Sequence, residues 1–174
     1  AGVVALEGVV AAGPRPRSPR AFAGGRLLRH WASLRWDDTQ GLPPHTFERR
    51  ARGLEAKLDR TKTSGKGKQV EVLPYFVSKE AWICHEWLET TLLLLTTGSF
   101  EFCRDYLLPL PDPELKGALK QRALYGDSAA LSQSLWAALP TEEGLALLHG
   151  GSGAFWSEQS DRAGLDSWAA SLGV

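Results

Sequence analysis

Two stretches of alternating apolar and polar residues flank a segment rich in glycine and lysine. Leu54–Leu58 is apolar at every second position, and Val70–Val72 has the same period. Such alternation is typical of a strand with one buried face. The glycines of Ser64–Lys68 suit a turn between two strands, and Pro74 is expected to end the second strand. The pattern therefore predicts an antiparallel hairpin within residues 50–77.

Longer stretches with apolar residues every three to four positions predict helices. We expect helices over Val3–Ala12 and Arg20–Leu34, and a long buried one over Lys79–Leu95 with Ser78 as its N-cap. Weaker patterns predict the remaining helices: Glu114–Tyr125, one capped by Asp127 or Ser128 and running to Ala138, a short one capped by Thr141, and a last one from Ser157.

The segments between these helices are expected to be a short strand, turns and loops. They are a first strand at Trp36–Asp38, a turn at Gly41–Pro44, an irregular stretch at Leu107–Pro113 and a flexible joint at Gly150–Gly153. The predicted fold class is mainly α with a small antiparallel β-sheet (α+β). We divide the chain into an N-terminal helix and basic loop, residues 1–20, and a single domain, residues 21–174.

Composition places the chain among globular proteins. Its 174 residues are 43% hydrophobic and include seven tryptophans, enough for one domain with a core. There is no methionine, so we expect an internal fragment or a processed chain. Cys84 and Cys103 lack metal-ligand spacing and form no disulfide framework, which favours a reduced, intracellular protein. Purely apolar runs such as Leu92–Leu95 are far too short to cross a bilayer.

Charge is distributed unevenly although the formal net charge is zero. Residues 1–68 hold 14 basic and 6 acidic residues, a balance of +8, and residues 69–174 hold 6 and 14, a balance of −8. Such an asymmetry favours a basic face that binds nucleic acid.

Several other kinds of site are not expected. Gly150–Gly153 lacks the Lys-Ser/Thr of a phosphate-binding loop. The four histidines show no ligand spacing, and His85-Glu86 lacks the second histidine of a zinc-protease helix. We therefore expect neither a metal nor a small-molecule cofactor.

A first motif, GRLLRHWASLRWDD at residues 25–38, resembles the arginine helix of tyrosine recombinases, the phage-integrase family. The likeness is greatest to the divergent forms found in retrotransposons and protists. The family places an arginine early in this helix, where its planar guanidinium binds two oxygens of the scissile phosphate. Here the matching position is Leu27, so Arg26 and Arg29 are alternatives for the first catalytic arginine. The acidic residue that follows in the family is absent.

A second motif, TKTSGKGKQVEVLP at residues 61–74, resembles the catalytic-lysine hairpin of the same family. The resemblance implies that Lys62 is the general acid for the leaving hydroxyl group. It also implies that Arg60, Lys66 and Lys68 contact DNA phosphates.

A third motif, WSEQSDRAGLDSWAASLGV at residues 156–174, resembles the family's histidine-serine-x-arginine box. Arg162 takes the place of the second catalytic arginine, which stabilises the charge of the transition state. Gln159 stands where histidine is usual. Glutamine can hydrogen-bond to phosphate but cannot transfer a proton.

The resemblance, from about Phe22 to Val174, implies a catalytic domain of the DNA breaking-rejoining type that acts in site-specific recombination or integration. It implies DNA as the partner, allows a homo-oligomer on DNA, and implies an intracellular protein that is nuclear if the source is eukaryotic. The family's nucleophilic tyrosine follows the Leu-Gly-Val sequence, so we expect the domain to be incomplete at its C-terminus.

The tyrosines of this chain all precede Arg162: Tyr75, Tyr106 and Tyr125. We therefore expect the chain alone not to cleave DNA. Two alternatives stay open, a non-catalytic DNA-binding relic of the domain and a helical protein-interaction domain whose tryptophans are core or interface anchors.

Overall fold

A computed structural model of the chain describes residues 2–58, 67 and 72–138. This part is an α+β structure with two small antiparallel sheets, as predicted. Its α-helices are α1 (Gly2–Ala11), α2 (Arg17–Trp31), α3 (Trp36–Gln40), α4 (Trp87–Thr96) and α5 (Tyr125–Ala138). Its strands are β1 (Glu48–Arg50), β2 (Gly53–Leu58), β3 (Leu73–Ser78), β4 (Pro109–Pro111) and β5 (Ala118–Arg122), and 3₁₀ turns cover Pro44–Thr46 and Gly98–Phe100.

Helix α2 is the element on which α1 and α4 pack. Both α1 and α2 confirm the predicted helices, whose ends differ from the observed ones by at most three residues. At Gly24 the two helices are so close that a β-carbon would lie 2.3 Å from Thr91 Oγ1 of α4. A β-carbon on Gly25 would lie 3.0 Å from Leu108. The two glycines therefore allow α2 to lie deep in the structure. Around them the core consists of buried apolar side chains, among them Leu6, Val10, Phe22, Leu27, Leu28, Trp87, Leu95 and Phe100.

The predicted hairpin is confirmed in strands β2 and β3. They pair antiparallel, with Leu54 opposite Val77 and Leu58 opposite Leu73, and β1 adds a third strand on the other side of β2. Leu54 and Leu58 are buried, whereas Lys57 between them is exposed. The period-two pattern therefore identified the inward face correctly.

The predicted position of the second strand is wrong: Val72 is exposed and precedes β3, Val70 lies outside the described residues, and the expected end at Pro74 is not observed. Pro74 lies inside β3, opposite Lys57, and the strand continues to Ser78. Since β3 is the edge strand of the described sheet, a residue without an N–H group can be accommodated there without loss of a ladder bond.

Residues Trp36–Gln40 form helix α3 rather than the expected strand. The carboxylate of Asp38 accepts a hydrogen bond from the Arg35 N–H at 3.4 Å, and the Thr39 hydroxyl donates to the Arg35 carbonyl at 2.9 Å. The buried Gln40 side chain then joins α3 to the second sheet, because it bonds the N–H and carbonyl of Leu108 at 2.8 and 3.1 Å. Local capping and one buried amide therefore favour a helical turn here.

The long helix expected over residues 79–95 is confirmed only in its C-terminal part, since α4 begins at Trp87. Ser78 is the last residue of β3 and not an N-cap. The intervening residues are non-helical because the N–H groups of Trp82, Ile83 and Cys84 donate to the carboxylate of Glu7 in α1.

The second sheet replaces both the irregular stretch at residues 107–113 and the helix at residues 114–125 that the sequence predicted. Strands β4 and β5 pair antiparallel. Asp112 closes the turn between them, because its carbonyl accepts from the Leu115 N–H at 3.0 Å and its carboxylate from the Lys116 N–H at 2.9 Å. Leu115 has a φ of 59°, a conformation that ends any helix at that point.

Helix α5 confirms the helix expected to end at Ala138, but it begins at Tyr125, before the expected cap. Asp127 therefore lies inside the helix, where its carboxylate accepts a hydrogen bond from the Leu124 N–H at 2.8 Å. The elements predicted at Thr141, Gly150–Gly153 and Ser157 lie outside the described residues, and the division at residue 20 stays a prediction. Within residues 2–58 and 72–138, none of the helices is both long and apolar enough to cross a membrane.

Candidate nucleic-acid interface

The two candidate arginines of α2 lie in the interior. Arg26 is 3% exposed and Arg29 is 1% exposed. The guanidinium carbon of Arg26 lies 5.3 Å from the ring centroid of Trp136, and that of Arg29 lies 5.8 Å from the ring centroid of Trp36. In this arrangement both guanidinium groups stack on indole rings, and neither faces solvent.

The lysine-bearing segment is defined by the strands on either side of it. Among the described residues, Leu58 and Leu73 are the last pair of the β2–β3 ladder, and residues 59–72 connect the two strands in sequence. Gly67 has a φ of +80°, which favours glycine at that position. The candidate residues Arg60, Lys62, Lys66 and Lys68 lie outside the described residues.

The third motif also lies outside the described residues, including Gln159 and Arg162. The expected convergence of Lys62 and Arg162 with Arg26 or Arg29 in one basic cleft therefore stays a prediction.

The exposed face of the three-stranded sheet carries a lysine near the Leu58–Leu73 end and a paired arginine near the Gly53–Ser78 end. Lys57 is exposed and one residue from the end of β2. Arg50 forms ion pairs with Glu48 at 2.5 Å and Glu55 at 2.8 Å. The hydrogen bond with Glu55 and the charge of that carboxylate raise the pKa of the Arg50 guanidinium. Among these side chains, Lys57 is the one placed to contact an anion.

Other arginines of the basic first half of the chain are engaged in holding the fold. The Arg17 guanidinium donates to the carbonyls of Leu93, Leu94 and Thr97 at 2.7–3.2 Å, at the C-terminal end of α4. A cation stabilises that end of a helix. Burial, followed by the charge of Arg20, lowers the pKa of Arg17.

Arg49 is paired as well, with Glu89 of α4 at 2.9 Å. The +8 balance of residues 1–68 therefore overstates the positive charge that solvent sees. The sequence could not reveal this, because the pairing joins residues that are distant in the chain. Lys57, in contrast, could have been identified from the alternation in β2.

The tyrosines differ in how accessible their hydroxyl groups are. The Tyr75 hydroxyl is buried in β3, and burial strongly raises its pKa. Burial also raises the pKa of Tyr106, and the charge of Asp105 adds to that shift while Arg104 opposes it. Tyr125 is 46% exposed and contacts Trp36 edge-on, with ring centroids 6.5 Å apart.

Within the part of the chain that the structure describes, His, Cys, Asp and Glu side chains form no group of three or more that could hold a metal ion. Cys84 and Cys103 are free thiols.

Comparison with known proteins identifies no relative of this chain: no protein-family model, no curated protein and no solved structure matches it.

Proposed function

We propose that this chain is a DNA-binding domain of the tyrosine-recombinase type, which holds duplex DNA through the β2–β3 hairpin and does not cleave it. The observation that carries the proposal is the register of this hairpin. Because Leu58 pairs with Leu73, the segment that contains Lys62, Lys66 and Lys68 is the connection between two paired strands.

The order of elements supports the same proposal. Helix α2, which carries the candidate arginines Arg26 and Arg29, precedes α3, and the three-stranded sheet follows with the candidate lysines in the sequence between β2 and β3. This is the order of motifs on which the resemblance to the recombinase catalytic domain rests. We propose on the same ground that the chain has the DNA breaking-rejoining fold.

The chemistry of the hairpin suits the phosphate backbone of DNA. Lys57 on β2 is exposed, and three further lysines follow within eleven residues of sequence. Lysine side chains that neutralise phosphates release condensed counterions, so binding of this kind is strong at low salt and largely independent of base sequence.

Binding without cleavage is favoured by the state of the other candidate groups. Arg26 and Arg29 are buried against tryptophan rings, and among the described residues Trp136 of α5 and Trp36 of α3 cover their guanidinium groups. The buried Tyr75 hydroxyl, with its raised pKa, is a poor nucleophile. Of the alternatives that the sequence left open, these observations favour the non-catalytic DNA-binding domain.

The proposal is tested by titrating the protein into a fluorescent DNA duplex of random sequence and following anisotropy at several salt concentrations. We expect binding at about 50 mM salt and a linear fall of log K with log salt concentration. No binding at the lowest salt concentration would exclude the proposal.

Cleavage is tested separately with a suicide DNA substrate and a denaturing gel. We expect no covalent protein–DNA band. A band that disappears on Tyr106→Phe or Tyr125→Phe would show that the chain is a nuclease or recombinase in its own right.

A further inference from the structure

The segment that joins β3 to α4, residues 79–86, has a conformation that its own sequence does not favour. It contains no glycine or proline, and Trp82 and Ile83 continue the apolar face of α4. Such a sequence favours helix. In the structure, nevertheless, the helix begins only at Trp87.

A carboxylate from another helix occupies the N–H groups that a helix would use. Glu7 of α1 is fully buried. Its oxygens accept from the Trp82 N–H at 3.0 and 3.1 Å, the Ile83 N–H at 2.8 Å and the Cys84 N–H at 3.0 Å. In a continuous helix these three groups would instead donate to the carbonyls of residues 78–80.

One of those helical bonds is replaced at both of its ends. The Cys84 N–H donates to Glu7, and the carbonyl of Glu80, its helical acceptor, accepts from the Trp87 indole N–H at 2.9 Å. The observed conformation is therefore satisfied in its hydrogen bonds, but by partners outside the segment.

The two largest apolar side chains of this segment stay more than half exposed, whereas the smaller Ala81 and Cys84 pack against the core. Trp82 is 55% exposed and Ile83 is 56% exposed. Ile83 does reach α1, where its Cδ1 atom would lie 4.0 Å from a β-carbon on Gly8. Glu7 provides hydrogen bonds from α1 to the backbone of this segment.

We propose that α1 is a strap that controls the length of α4. While Glu7 holds the N–H groups of residues 82–84, the segment stays non-helical. When the carboxylate is withdrawn, residues 79–86 become helical and extend α4 by about two turns, or about 12 Å.

This device acts on the hairpin, because β3 ends at Ser78, directly before the segment. A helical segment would shorten the connection between β3 and α4 and change how the hairpin is held. The conformational proposal itself does not depend on DNA binding and is tested without DNA.

The test compares backbone carbon-13 Cα shifts of residues 79–86 in the full chain and in Glu7→Gln. Glutamine keeps the shape of the side chain but offers one acceptor oxygen and turns an NH₂ group towards the amide donors. Val4→Ala changes an exposed residue of the same helix and is the matched control.

We expect the shifts to move to helical values in Glu7→Gln, with at least about a tenfold rise in the helical population, and no change in Val4→Ala. Unchanged shifts, or shifts of a random coil, would overturn the proposal. If Glu7→Gln fails to fold, Glu7→Asp keeps the charge and withdraws it by one methylene. Helical shifts in this variant would support the proposal, and unchanged or random-coil shifts would overturn it.

Discussion

The guanidinium carbon of Arg29 lies 5.8 Å from the ring centroid of Trp36, and both side chains are buried. The two residues come from opposite ends of the sequence motif that resembles the recombinase arginine helix. Seven residues separate them in the sequence, and their side chains meet where α2 is followed by α3. Arg29 therefore acts as a core residue in this structure.

Replacing Arg29 should consequently affect stability. We expect Arg29→Ala to lower the free energy of unfolding by about 2–3 kcal/mol, because it removes the stacking contact and a buried side chain. Arg35→Ala, which removes an exposed side chain of the same charge, should change it by less than about 0.5 kcal/mol. Urea unfolding measures both, and equal effects would contradict the core role.

A second prediction concerns the contact between α2 and α4. A methyl group at Gly24 would lie 2.3 Å from Thr91 Oγ1, whereas one at Gly126 in α5 meets nothing within 4 Å. Gly24→Ala should cost about 1–3 kcal/mol by overpacking, and Gly126→Ala should stabilise by about 0.4–1 kcal/mol. Thermal unfolding should show a lower melting temperature for Gly24→Ala and a higher one for Gly126→Ala. An unchanged melting temperature for Gly24→Ala would contradict the close contact between α2 and Thr91.

A third prediction is a loss of stability at alkaline pH. Burial raises the pKa of Tyr75 above its ordinary value of 10.0, so above that pH the folded state retains a proton that the unfolded state releases. The free energy of unfolding should therefore fall as pH rises from 10, by up to about 1.4 kcal/mol per pH unit.

Tyr75→Phe should remove this part of the pH dependence. Among the described residues the Tyr75 hydroxyl has no hydrogen-bond partner, so the variant should equal the parent at pH 7 or exceed it by about 1 kcal/mol. Unfolding midpoints between pH 8 and 11.5 give the comparison, with Tyr125→Phe as the control. If the free energy of unfolding falls equally with pH in the parent and in Tyr75→Phe, another residue must cause the loss of stability at alkaline pH.

The parts of the fold that the sequence predicted are those determined by local patterns. The alternation in Leu54–Leu58 gave strand β2 and its buried face, and three-to-four spacing gave α2. Residues 79–86 and Trp36–Asp38 were wrongly predicted because partners far away in the chain decide them. Glu7 binds the first segment, and Gln40 connects the second to Leu108.

The candidate site was predicted less completely than the fold. Motif order placed Arg26 and Arg29 on the correct helix, but their burial depends on Trp136 and Trp36, which only the tertiary structure brings to them. The role of Lys62 rests on the resemblance and stays a prediction.

The central claim, that DNA binds through the hairpin, calls for two triple variants with the same change in charge. The test variant replaces the lysines of the hairpin connection: Lys62→Ala, Lys66→Ala and Lys68→Ala. The control variant replaces three exposed cations elsewhere, two at the opposite end of the first sheet and one on the second sheet: Arg52→Ala, Lys79→Ala and Lys120→Ala.

The most direct measurement is the slope of log K against log salt concentration for a DNA duplex, determined for the parent and both triple variants. Each lost phosphate contact lowers the slope by about 0.9. We expect the hairpin variant to lose about 2–3 units of slope and at least about tenfold in affinity at low salt, while the control variant stays close to the parent. Equal slopes for the two variants would contradict binding through the hairpin.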